Sequence, residues 1–326
     1  MASKIKYSLD FDYLTAEEER LLDKACEAIA DFVSKSDQIN KVNHKTRDAH
    51  VTTYSTLKGI FFVNDNFEEN QVFPVKELNC LIRISNAHLK KVSQERTVPA
   101  YGFSLKILDG ENTVANFPLV NFPLFPINNV SRFLKLFISI NRFFLGNFLH
   151  KIWNLFGVFK NLISVSPSFF QPSFIMEVLK FLKNWNHFIL SFSYHSIGVY
   201  RLGDQLVKLK LIPRKIPKRI NDKRIDDSIK NYLNNNSYEL DLFVQYCCDL
   251  KKQPVNQLNK LWKDSEYVQI GTIEISGLID RNDRAVEQMS FNPFENIKAL
   301  QPVGRIQKLR DKTYKTSYKI RNNNQL

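Results

Sequence analysis

Between His50 and Leu108 the chain carries three short runs, HVTTYSTLKGIFFV, LNCLIRIS and YGFSLKIL, separated by turn residues. Each is rich in β-branched and aromatic side chains, which is the pattern of strands joined by turns. Similar runs resume later as YHSIGVYRLGDQLVKLKLIP, YELDLFVQYCCDL and YVQIGTIEI. Helical signals bracket and interrupt them. Thr15-Ala16-Glu17-Glu18 reads as a capping box, and Leu22, Cys26, Ile29 and Phe32 or Val33 follow at helical spacing. Prolines at 118, 123 and 126 predict an extended connection, after which residues 131–163 return to helical character. A last helix is expected from about Gly304. Helices at both ends of a mostly antiparallel β region predict an α+β fold, and without repeats or a long linker the expectation is a single domain over residues 1–326.

Charge narrows the partners. The net charge of +13 points to an acidic one, such as nucleic acid, an anionic membrane or an anionic cofactor. Phenylalanine is over-used, with 26 in all and 16 of them between Phe117 and Phe192. The four cysteines, Cys26, Cys80, Cys247 and Cys248, show no metal-binding spacing, which suits a reduced compartment. The amino terminus has no apolar signal region, and no stretch of about 20 apolar residues suits a spanning helix. A cytoplasmic protein is the expectation.

The chain ends in RDKTYKTSYKIR, residues 310–321. On a helix, Arg310, Tyr314, Ser317 or Tyr318, and Arg321 share one stripe, with Arg310 directly against Tyr314. Alone, this stripe fits a solvated basic helix, or one that stacks on nucleic acid. A phenol beside a guanidinium has its anion favoured, but a single Arg does not ionise a group that titrates near 10 at neutral pH. A trivalent metal does, and tyrosinate is a known haem ligand.

Other motifs supply what such a ligand needs on the opposite side. Arg47-Asp48-Ala49-His50 sits at the start of the first strand, followed by Gly59-Ile60-Phe61-Phe62-Val63. Arg83-Ile84-Ser85 alternates, so Arg83 and Ser85 point to one face. Gly102-Phe103-Ser104-Leu105-Lys106 and Val120-Asn121-Phe122-Pro123 follow.

In this order the motifs resemble those of the haem catalases, in particular short catalase-like proteins without the C-terminal helical domain. The likeness runs through nearly the whole chain from about residue 40. Ala49 stands where the family normally has valine, and one Asn precedes Phe122-Pro123 where the family has two.

The resemblance implies an antiparallel β-barrel over about residues 48–280, with a helical, Phe-rich insertion at about 131–190. An N-terminal helix at about 15–34 and a proximal helix at about 304–322 would flank it. It implies haem b (iron) inside the barrel, the metal held by Tyr314 and tuned by Arg310, with Arg47, Arg83 and Arg321 on the propionates. His50 would shuttle a proton, Ser85 would fix its tautomer and Asn121 would orient the peroxide. The implied activity is breakdown of hydrogen peroxide through a ferryl intermediate. The alternative is peroxidase or allene-oxide-synthase-like chemistry on an organic or lipid hydroperoxide, with Ala49 widening the entrance. A non-enzymatic basic binding module is the third reading. On the enzyme readings nucleic acid is not a partner, peripheral membrane contact stays open without being favoured, and so does homo-oligomerisation.

Overall fold

The computed structural model describes residues 3–93, 98–145, 148–217, 224–280 and 282–322. Helix α1 (Ala16–Ser34) and a short α2 (Ser36–Asn40) lead into strands β1 (Thr53–Val63), β2 (Glu77–Asn86), β3 (Tyr101–Asp109) and β4 (Asn112–Val120). Three helices follow: α3 (Val130–Leu145), α4 (Phe148–Val165) and α5 (Pro172–Lys183). Then come β5 (Tyr194–His195), β6 (Val199–Leu202), β7 (Gln205–Pro213), α6 (Ile225–Asn235), β8 (Glu239–Tyr246) and β9 (Tyr267–Leu278). The chain finishes with α7 (Asp283–Glu287), β10 (Pro302–Val303) and α8 (Arg305–Asn322).

Eight strands close into a barrel in the order β7-β5-β4-β3-β2-β1-β9-β8, and β8 pairs back onto β7. Every pairing in the ring is antiparallel, and the seam between β4 and β5 is a single residue pair, Val120 with His195. Strands β6 and β10 extend the sheet beside β7.

Strand register decides what faces where. Across β2, β3 and β4 the rows Ile84–Phe103–Leu119 and Ile82–Leu105–Phe117 are fully buried in the main core. Each such side chain contributes roughly 1.5–3 kcal/mol of burial. The alternate rows, Arg83–Ser104–Pro118 and Ser85–Gly102–Val120, face outward. The barrel interior is therefore packed with apolar side chains. The expectation of a prosthetic group inside the barrel is corrected accordingly: the polar motif residues lie on its outer face.

Helices α1, α3 and α8 cover that face, joined by a cluster that includes Leu22, Ala25, Leu134, Ile138 and Leu309. Thr15 and Glu18 form a reciprocal capping box at the start of α1, worth about 1 kcal/mol. The same Glu18 carboxylate takes the Arg305 guanidinium, pinning the start of α8 to the start of α1. Asn129 caps α3 by accepting from the Arg132 amide at 2.8 Å.

Candidate functional site

A cavity of about 320 Å³ opens between the outer barrel wall and helices α3 and α8. Its floor comes from α8, with Arg310, Tyr314 and Arg321, and His50, Arg47 and Arg83 line it from the barrel side. Phe133, Leu134 and Phe137 of α3 close one flank.

On α8, Arg310 donates from Nη2 to Tyr314 Oη at 2.7 Å and from Nη1 to Gln307 Oε1 at 2.8 Å. Burial opposes the Arg310 charge, but the phenols of Tyr314 and Tyr200 outweigh it and raise its pKa. The guanidinium is therefore a fixed cation against the tyrosine oxygen. Gln307 reaches it because Gly198 has no side chain: a Cβ there would stand 2.4 Å from the Gln307 amide.

His50 sits in the left-handed region at φ 55°, uncommon for a residue other than glycine. Its carbonyl is held by Arg83 Nη2, while Arg83 Nε donates to Thr53 Oγ1 at 2.9 Å. The ring lies against Gly102, where an added Cβ would come within 2.6 Å of Nδ1. Ser85 Oγ stands 3.3 Å from the same Nδ1. Burial first, then the charges of Arg83, Arg310 and Arg47, pushes the imidazole down to about 3. At neutral pH His50 is therefore uncharged.

Three guanidinium groups crowd one end. Arg47 pairs with Glu287 at 2.9 Å and donates from Nη2 to the Met289 and Val286 carbonyls at 2.7 and 3.1 Å. Arg83 and Arg321 are each 3.9 Å from the same Glu287 carboxylate. Burial and the neighbouring Arg47 charge push both of them down to about 9. Arg321 Nε and Nη1 are buried without a hydrogen-bond partner. One glutamate does not satisfy this cluster, and burial pushes the other nearby acid, Asp48, upward in pKa. The end of the cavity is short of negative charge.

The structure thus brings Arg47, His50, Arg83, Arg310, Tyr314 and Arg321 around one cavity, with Ser85 behind His50. Asn121 does not join them. Its Oδ1 accepts from the Tyr101 amide at 2.8 Å and its Nδ2 donates to the Pro99 carbonyl at 2.6 Å, so both ends of the amide are taken by backbone. The outward position beside Gly102 belongs to Val120, which lines the cavity. The expectation that Asn121 orients a ligand is corrected on that geometry. Sequence reading also missed Glu287, Gln307 and the role of Gly102. Pairing Ser85 with Gly102 and Val120 across the ladder would have exposed the last, whereas Glu287 in NDRAVEQMS has no local signature.

The same arrangement of barrel and helices occurs in solved structures. A fungal catalase aligns over 99% of this chain and 65% of its own, with a TM-score of 0.66 and 17% identity. Catalase A from Saccharomyces cerevisiae aligns over 99% and 67%, at 0.62 and 16% identity. A bacterial catalase aligns over 88% and 60%, at 0.64 and 14% identity. The fold is catalase-like. The chain spans 60–67% of the length of these catalases. No family model matches the sequence, and no curated protein does.

Proposed function

We propose that this cavity holds haem b and that the chain uses it to cleave the O–O bond of a peroxide. The observation that carries the reading is one cavity lined by a guanidinium-bound tyrosine, an uncharged histidine and buried guanidinium nitrogens without partners. These residues fit the group. Tyr314 Oη would be the iron ligand, with Arg310 holding negative charge on that oxygen. Arg47, Arg83 and Arg321 would pair with the two propionates, supplying the carboxylates the cluster lacks. When bound, the haem supplies the redox chemistry that no side chain here has.

The chain's own part is proton handling and exclusion. With Ser85 accepting from Nδ1–H, the His50 Nε2 lone pair is left for substrate. His50 Nε2 takes the proton from one peroxide oxygen and returns it to the other, which leaves as water or alcohol, the two electrons for the cleavage and the place for the oxygen left behind being what the haem would supply. Arg83 keeps the ring in place through the His50 carbonyl, and Phe133 and Phe137 limit water in the cavity.

Hydrogen peroxide is the first substrate reading, since it needs little more than a proton shuttle in a narrow site. An organic hydroperoxide is the second, and a specific observation favours it. The wall beside His50 is Val120 and Ala49, with Phe125, Phe133 and Phe137 nearby, so it grips an alkyl group better than it orients a small polar molecule. The test compares oxygen release from hydrogen peroxide with consumption of cumene hydroperoxide by the haem-loaded chain. Oxygen release alone selects the first reading, and hydroperoxide consumption without oxygen selects the second. Inertness toward both contradicts the proposal.

A further inference from the structure

Helices α4 and α5 each turn an apolar stripe away from the protein. On α4, Leu155, Phe156, Phe159 and Ile163 are all exposed, Phe156 to 66% and Phe159 to 62%. On α5, Ile175, Met176, Leu179 and Leu182 are exposed, Met176 to 58%. At 3.6 residues per turn each set falls within an arc of roughly 120°. Phe170, in the turn joining the two helices, is 75% exposed. Surface apolar residues scattered singly need no explanation, but two four-residue stripes on consecutive helices, with Phe170 exposed in the turn between them, mark a contact surface.

The opposite faces account for the packing. Asn161 of α4 donates to Ser139 Oγ of α3 at 2.8 Å, and Val165 is buried. From α5, Phe174 and Phe181 pack edge-on against Phe122 at 5.6 and 5.7 Å. The exposed stripes are thus the sides the fold does not use.

Charge identifies what would cover them. Between Val130 and Trp185 the sequence has seven Lys or Arg and a single acid, Glu177, a net of +6. That acid is already bound to Lys180 at 2.6 Å. Lys160 and Lys180 each sit five positions after the first stripe residue of their helix, at the edge of the apolar arc. An apolar stripe edged by lysine lets rings and aliphatic chains enter the acyl boundary while the ammonium groups stay at the lipid phosphates. Trp185, 40% exposed at the end of α5, is of the type enriched at that boundary. No helix among the described residues is long and apolar enough to cross a membrane.

We infer that the outer faces of α4 and α5 dock the protein peripherally onto an anionic lipid surface. This does not depend on what the cavity holds. The experiment is co-sedimentation of the full chain with phosphatidylcholine vesicles, with and without phosphatidylserine. The expected result is binding that requires phosphatidylserine and weakens with added salt. Phe156→Ser with Phe159→Ser, and separately Lys160→Glu with Lys180→Glu, should each weaken binding by about tenfold or more. Both pairs are exposed, so the thermal midpoint should stay where it was. Absence of vesicle binding overturns the inference. So does binding that ignores both variant pairs, or a dimer in light scattering that Phe156→Ser converts to a monomer without any affinity for lipid.

Discussion

Arg310 Nη2 donates to Tyr314 Oη at 2.7 Å, one helical turn apart on the same face of α8. The pair is set by local geometry, since residues four apart on a helix meet side by side. It is fixed from behind by Gln307, which fills the space left by Gly198. A guanidinium fixed in this way holds a permanent donor against the phenol oxygen that would bind a ferric ion.

Replacing Arg310 with Ala should therefore weaken hemin affinity by about 10–100-fold, the usual effect of losing the group that orients a metal ligand. Quenching of intrinsic fluorescence by added hemin measures it. Unaltered affinity would separate Arg310 from the ligand role.

The His50 environment gives a pH signature. Folded, the imidazole is pushed down to about 3 by burial and then by Arg83, against an ordinary value of 6.5. Between these values the unfolded chain binds a proton that the folded chain refuses. Stability contributed by neutral His50 is thus complete above 6.5 and is lost as pH falls toward 3. The slope is about 1.4 kcal/mol per pH unit for each such group. His195, also pushed to about 3 by burial and then by Lys210, acts in the same window. Urea unfolding at several pH values should show the decline, and His50→Gln should reduce its slope by about one proton. A slope identical in both proteins would contradict the burial argument.

Among the described residues, Glu287 is the carboxylate that lies within 3.9 Å of all three arginines of the cluster. Glu287→Gln should destabilise the haem-free chain by roughly 3–5 kcal/mol, because it leaves buried cations uncompensated. Hemin should then stabilise the variant more than it stabilises the parent, by supplying carboxylates of its own. Thermal unfolding with and without hemin reads both effects, and equal stabilisation of the two proteins would argue against propionates at that end.

Gly102→Ala places a methyl group within 2.6 Å of His50 Nδ1 and 2.8 Å of Ser85 Oγ. The expected cost is about 1–3 kcal/mol of stability, as for other overpacked sites, together with loss of peroxide cleavage while the pigment is retained. Full activity in this variant would place His50 outside the reaction.

Much of this was legible in sequence because it is local. The Thr15/Glu18 capping box, the alternation of Arg83 and Ser85 about Ile84, and the four-residue step from Arg310 to Tyr314 all follow from one element's own period. The barrel face was misjudged: Ile82, Ile84, Phe103 and Leu105 claim the interior where a prosthetic group was expected and leave Arg83 and Ser85 outside, which shows only once the strands are paired. Asn121 failed on a single residue of register. The β3–β4 ladder sets Val120 opposite Gly102 and turns the asparagine onto the Pro99 and Tyr101 backbone. Glu287 was beyond reach, because its arginine partners at 47, 83 and 321 converge only after the barrel closes and α8 docks.

Absorption titration of the purified chain and its Tyr314→Phe variant with hemin tests the central claim most directly. The account predicts a high-spin ferric spectrum with tyrosinate character for the parent, and its loss, with weak retention of pigment, in the variant. The same spectrum and the same retention in Tyr314→Phe would contradict it.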